Sequence, residues 1–109
     1  MSIRIEPSDL ADRLEGRDFA YLVTTGGERA HVVASRCTVE AGRVTVSRAG
    51  RTTLANVAAT SNITLVWPPT SVEVEHREYS VVADGRATIV DGDVIEVLVI
   101  NAVFHRPAT

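Results

Sequence analysis

Between Phe19 and His105 the chain repeats one pattern: a short β-prone run, then a turn signal built on glycine or proline. The runs are "FAYLVTT", "AHVVASRCTV", "RVTVSR", "NITLVW", "YSVVADGRATIV" and "VIEVLVINAVFH". The punctuation includes "GGE", "EAG", Pro68-Pro69 and Asp91-Gly92. Such runs read as strands, and such punctuation as tight turns or ladder stops. The pattern breaks once. From Arg51 to Ser61 the apolar period becomes helical, with Leu54, Val57, Ala58 and Ser61 on one face and no Gly or Pro inside. Six strands with one helix between the third and fourth predict a mainly β domain, a small closed or nearly closed antiparallel barrel spanning residues 1–109. "EPSDLADRLEG" adds a short N-terminal helix that packs loosely, with Leu10 and Leu14 on one face and Ser8 as its cap. Asp84-Gly85 permits either a hairpin inside the fifth run or a bulge in one long strand.

The last run carries a second constraint. Val97-Leu98-Val99-Ile100 is apolar at four consecutive positions, whereas a strand with one wet face alternates. A strand apolar on both sides needs a second cover, and a second copy of the chain supplies one, so a homodimer is expected. Composition removes other classes. A net charge of −3 argues against a nucleic-acid footprint, and the few aromatic residues make no base-stacking platform. No apolar run is long enough to span a bilayer, and "MSIRIEPSDL" lacks the apolar core of a signal peptide. A cytoplasmic protein without a membrane partner is the expectation. Cys37 stands alone, which excludes an internal disulfide; it reads as a small, buried or half-buried apolar residue. His31, His76 and His105 form no metal-ligand motif, and no nucleophile–base arrangement stands out. Any chemistry would belong to a cofactor.

Function, if the sequence carries it, lies in "SRAGRTTLAN", Ser47 to Asn56, where a strand hands over to the helix. The first turn of a helix offers unpaired N–H groups and partial positive charge, and arginine adds a planar fork matched to phosphate oxygens. All 11 basic residues are arginine, so an anion here would meet Arg or backbone. An ordinary turn is the other reading, with Arg51 solvated and Ser47 satisfying the turn.

Taken whole, "GRVTVSRAGRTTLANVAATSNITLVWPP" resembles the flavin-binding split barrels of the pyridoxamine 5′-phosphate oxidase type, including relatives that use the deazaflavin F420. "YSVVADGRATIV" is similar to that family's long fifth strand, and "AVFHRPA" to the last-strand ending of its short members. The similarity runs roughly from Phe19 to Pro107 and favours a bulge at Gly85 over a hairpin. It implies FMN or F420 at a dimer interface and an oxidoreductase acting on a small organic substrate. In that arrangement Ser47 offers a hydroxyl and Arg51 a guanidinium to the phosphate, with Thr52 and Thr53 next along the helix start. Arg36 falls where relatives often carry a basic residue against the cofactor, or is an ordinary outward strand arginine; Asn56 would reach cofactor or partner, or face solvent; Trp67 would touch the ligand, or anchor the core or an interface. Two departures stand against it. Thr52-Thr53 replaces the basic pair many members carry, which keeps a cofactor-free dimeric interaction domain in view. The short chain likewise suits a non-catalytic cofactor carrier. His105-Arg106 does not replace the segment with which full-length oxidases bind pyridoxal phosphate, so pyridoxamine phosphate oxidation is not expected.

Overall fold

The computed structural model describes residues 1–108, and its strands form one curled antiparallel sheet. In chain order the elements are β1 (Ser2–Ile5), a 3₁₀ turn (Pro7–Asp9) running into α1 (Leu10–Arg13), β2 (Ala20–Thr24), β3 (His31–Ser35) and β4 (Thr38–Glu40). There follow β5 (Arg43–Val46), α2 (Arg51–Ala59), β6 (Asn62–Trp67), β7 (Ser80–Asp91) and β8 (Val94–His105). Neighbours run β3-β2-β6-β7-β8-β5-β4, with β1 added beside β8. No helix among the described residues is long and apolar enough to cross a membrane.

Eight strands replace the expected six, for two reasons. Ser2–Ile5, too short to show a period, pairs with Ala102–His105. The expected second strand is broken at Arg36-Cys37, because its halves serve different partners: β3 lies on β2 and β4 on β5. Ser35 and Thr38 are three Cα steps apart, at most about 11 Å. The two ends of the sheet order are therefore drawn together, and the sheet must curl. It does not close: β3 and β4 do not pair with each other, and the barrel is open rather than closed.

Strand period places the core. Val44 and Val46, Ile63, Leu65 and Trp67, Val81, Ala83 and Ala87, and Ile95, Val97 and Val99 all face inward and are buried. Each fully buried Leu, Ile or Val of this layer contributes about 1.5–3 kcal/mol. Leu10 and Leu14 join them, so the N-terminal helical turn is anchored and not loosely packed. Its expected cap is absent: Ser8 lies inside the 3₁₀ turn, and neither helical segment has a side-chain cap bond. Arg17 ties the loop after β6 to the start of β7. Its guanidinium donates to the carbonyls of Pro68 (3.1 Å), His76 (2.9 Å) and Tyr79 (2.6 Å).

β7 and β8 form the longest pair, and no hairpin interrupts β7 at Asp84-Gly85. Asp84 pairs with Asn101 and Gly85 with Val99, so the extra residue of the bulge is Ile100 on β8, opposite Gly85. Gly85 is required by close approach and not by a positive φ. A Cβ there would stand 2.5 Å from the Leu98 carbonyl oxygen.

α2 ends two residues earlier than expected and is rotated. Its buried side chains are Thr53, Asn56 and Val57, with Leu54 half-buried, while Ala58 is exposed and Ser61 lies beyond the helix. Polar Asn56 can face the sheet because its Nδ2 donates to Thr24 Oγ1 at 3.0 Å, both residues being buried. A satisfied hydrogen bond removes most of the cost of burying an amide.

Candidate functional site

β5 ends at Val46, and the chain then leaves the sheet through Ser47–Gly50 into α2. Beyond that point β3 has β2 on one side and no strand on the other. The space left at this seam is a cavity of about 410 Å³. Leu22, Val33 and Val46 give it an apolar floor, with Leu22 and Val46 1% exposed. His31 and Ser35 stand on the β3 side. Arg48, Gly50, Arg51, Thr52 and Thr53 form the opposite lip.

The lip is electropositive. The lining includes two arginines and no carboxylate, in a chain whose net charge is −3. Among the described residues neither arginine makes an ion pair; Arg4, Arg43, Arg77 and Arg106 take the acidic partners. Gly50 precedes α2 with no side-chain cap, and the helix's first turn contains no acidic residue. The N–H groups of Arg51, Thr52 and Thr53 come before the first intrahelical donor, since the bond from Leu54 N–H to the Gly50 carbonyl (3.0 Å) opens the ladder. Apolar floor and cationic lip together suit a ligand with an apolar body and an anionic end.

The expected site residues divide. Arg51, Thr52 and Thr53 are brought together on the lip. Ser47 and Arg36 are exposed and stand outside the lining. Asn56 is turned to Thr24 beneath the helix. Trp67 is 2% exposed, packed in the core as the third inward residue of β6 after Ile63 and Leu65, and does not face the cavity. Arg48 and His31 line the cavity and were not singled out from the sequence. Arg48 sits inside the quoted corner, but its φ of 57° has no sequence signal. His31 is placed only by the β2–β3 register, which sets it opposite inward-facing Thr24.

Cys37 is half-buried, its Sγ 3.7 Å from the Ser35 carbonyl, and burial pushes its pKa up to about 11. A thiol so placed is a poor nucleophile. Among the described residues no group of three His, Cys, Asp or Glu side chains is placed to hold a metal ion.

None of the known protein-family models matches the chain. By sequence it is 31% identical to uncharacterized protein Mb0449c of Mycobacterium bovis over 126 aligned positions, covering 96% of this chain and 82% of that one. Among solved structures, the FAD binding protein from Mycobacterium smegmatis superposes with a TM-score of 0.65 at 22% identity, covering 97% of this chain and 100% of its own. A candidate pyridoxamine 5′-phosphate oxidase from Listeria innocua superposes with a TM-score of 0.61 at 8% identity, covering 87% and 92%.

Proposed function

We propose that this chain, whose fold is the split barrel of pyridoxamine 5′-phosphate oxidase-like proteins, is a homodimer binding a flavin-type cofactor, FMN or the deazaflavin F420, at the barrel seam. The observation that carries this reading is the seam cavity itself, apolar below and cationic at its lip. The residues present fit such a group. Arg51 and the helix-start N–H groups of Thr52 and Thr53 would hold a phosphate, and Leu22, Val33 and Val46 would receive the apolar ring system. The description of the M. smegmatis protein as FAD-binding supports a flavin in particular. When bound, a flavin supplies two-electron redox chemistry, while the protein binds, orients and excludes water. The activity that follows is oxidoreduction of a small organic substrate.

A second copy of the chain completes the reading. On the sheet face turned away from the core, Tyr21, Val66, Val82 and Val103 form one continuous cross-strand row. Past a polar row of Thr64, Asp84 and Asn101, Leu98 is 50% and Ile100 55% exposed, the outward members of the two-sided apolar run. Exposed apolar side chains on both sides of that row favour covering by a like face.

Calorimetric titration with FMN and riboflavin tests the cofactor assignment. Arg51→Ala should weaken FMN binding roughly tenfold to hundredfold, the worth of a charge-assisted hydrogen bond, and leave riboflavin nearly unchanged. Wild type that binds no FMN, FAD or F420 would remove the flavin reading. Binding without substrate-dependent reoxidation would reduce the protein to a carrier.

A further inference from the structure

Among the described residues three non-glycine residues have positive φ: Ala41, Arg48 and His76. Ala41 turns the two-residue link between β4 and β5, and His76 lies in the loop after β6. Arg48 alone of the three lines the seam cavity. A left-handed backbone is costly for any residue with a Cβ, and such outliers gather where function holds them.

Glycine would serve the turn better, and the chain has one two residues later. Gly50 has φ −71° and ψ 163°, a conformation open to any residue, and a Cβ built on it meets nothing within 4 Å. The glycine therefore stands where its freedom is unused, and an arginine stands where that freedom is needed. The strained turn is held from outside by the Ala49 N–H, which donates to the Asp93 carbonyl in the β7–β8 turn at 2.9 Å. What position 48 gains over glycine is a guanidinium on the cavity lip, with no ion-pair partner among the described residues.

We propose that Arg48 is a second phosphoryl-binding side chain of the seam cavity, retained against the stability of its own turn, and that with Arg51 it selects ligands carrying about two negative charges at that end. The proposal deepens the flavin reading and rests on the same cavity. The shared chemistry is a phosphoryl group, whether the monoester of a mononucleotide or the pyrophosphate of a dinucleotide. Two fork-shaped donors on one lip match either.

Arg48→Gly separates strain from binding. Relief of the left-handed conformation offsets the extra unfolded-state entropy of glycine, so the variant should melt no lower than wild type without ligand. Millimolar inorganic pyrophosphate, at ionic strength matched with sodium chloride, should raise the melting temperature of wild type and do so far less for Arg48→Gly. FMN affinity should fall roughly 5–20-fold, less than a buried contact would give because the side chain is exposed, and riboflavin affinity less than about twofold. FAD in a parallel titration distinguishes pyrophosphate from monoester by which ligand loses more. Arg48→Lys should recover part of the pyrophosphate effect. Should the glycine variant fail to fold, Arg48→Asn carries the same test, since asparagine tolerates the left-handed region. An Arg48→Gly protein with the full pyrophosphate shift, or a wild type with none, overturns the proposal. Wild type that answers to pyrophosphate through Arg48 but binds no flavin upholds Arg48 and removes the flavin reading alone.

Discussion

Gly85→Val attacks the longest strand pair of the sheet at its bulge. A Cβ at Gly85 would lie 2.5 Å from the Leu98 carbonyl oxygen and 2.8 Å from Val97 Cγ1. The carbonyl belongs to the β8 backbone and cannot swing aside as a side chain would. Either β7 or β8 must shift, and both carry inward residues of the core on each side of the site. Overpacking of this kind costs about 1–3 kcal/mol, and disturbing a ladder hydrogen bond adds about 1 kcal/mol. The expected loss is about 2–4 kcal/mol, or roughly 8–20 °C in melting temperature for a domain of this size. Thermal unfolding by circular dichroism measures it, with protein concentrations matched because a dimer's melting point depends on them. Gly42→Ala is the control: its Cβ would meet Pro7 at 3.5 Å, an ordinary contact, so its change should stay within about 1 kcal/mol. A Gly85→Val protein melting within a degree or two of wild type would refute the close approach that the bulge imposes.

Two further outcomes are expected. Ile100→Glu places a charge in the outward apolar face, and sedimentation should show the wild type as a dimer burying at least ~1,000 Å² and the variant as a folded monomer; a monomeric wild type would leave that face without its proposed cover. Cys37, raised to about 11, should react with alkylating agents at pH 8 roughly a hundredfold more slowly in the native protein than in urea, where its pKa returns to about 8.5. Because the folded value lies above the unfolded one, the stability linked to this thiol is complete below about pH 8.5 and is lost as pH rises through about 11, so equal native and unfolded reaction rates would contradict its burial.

Period and punctuation made the order of elements legible, because burial of one strand face writes itself into alternate residues. They failed where tertiary partners, not local preference, set the outcome. Nothing at Arg36-Cys37 marks a break; the run splits because one half answers to β2 and the other to β5. Ser2–Ile5 is a strand only by virtue of β8 beside it. The bulge was placed at Gly85, but the unpaired residue is Ile100, since local sequence shows which residue must be small and not which strand carries the excess. Of the site, the Arg51–Thr53 corner was legible from its chemistry. For Trp67 the structure selects the core reading over ligand contact, as period two from Ile63 and Leu65 requires. Asn56 was not legible, since its burial depends on Thr24, distant in sequence.

The seam and its arginine have a common origin. In the β4–β5 ladder Thr38 pairs with Thr45, so extending the register would bring Arg48 opposite Ser35 and the residues after it alongside β3. A continued ladder there would close the barrel and fill the space. Arg48, with φ 57°, cannot continue a strand, and the chain leaves for α2 instead. The same backbone angle therefore ends the ladder, leaves the cavity open and sets the guanidinium on its lip. Full closure would add strand hydrogen bonds worth about 0.5–1.5 kcal/mol each, and the open seam forgoes them. A fold that forgoes stability at one edge, and sets Arg48 and Arg51 there without ion-pair partners among the described residues, has what the proposed binding site requires.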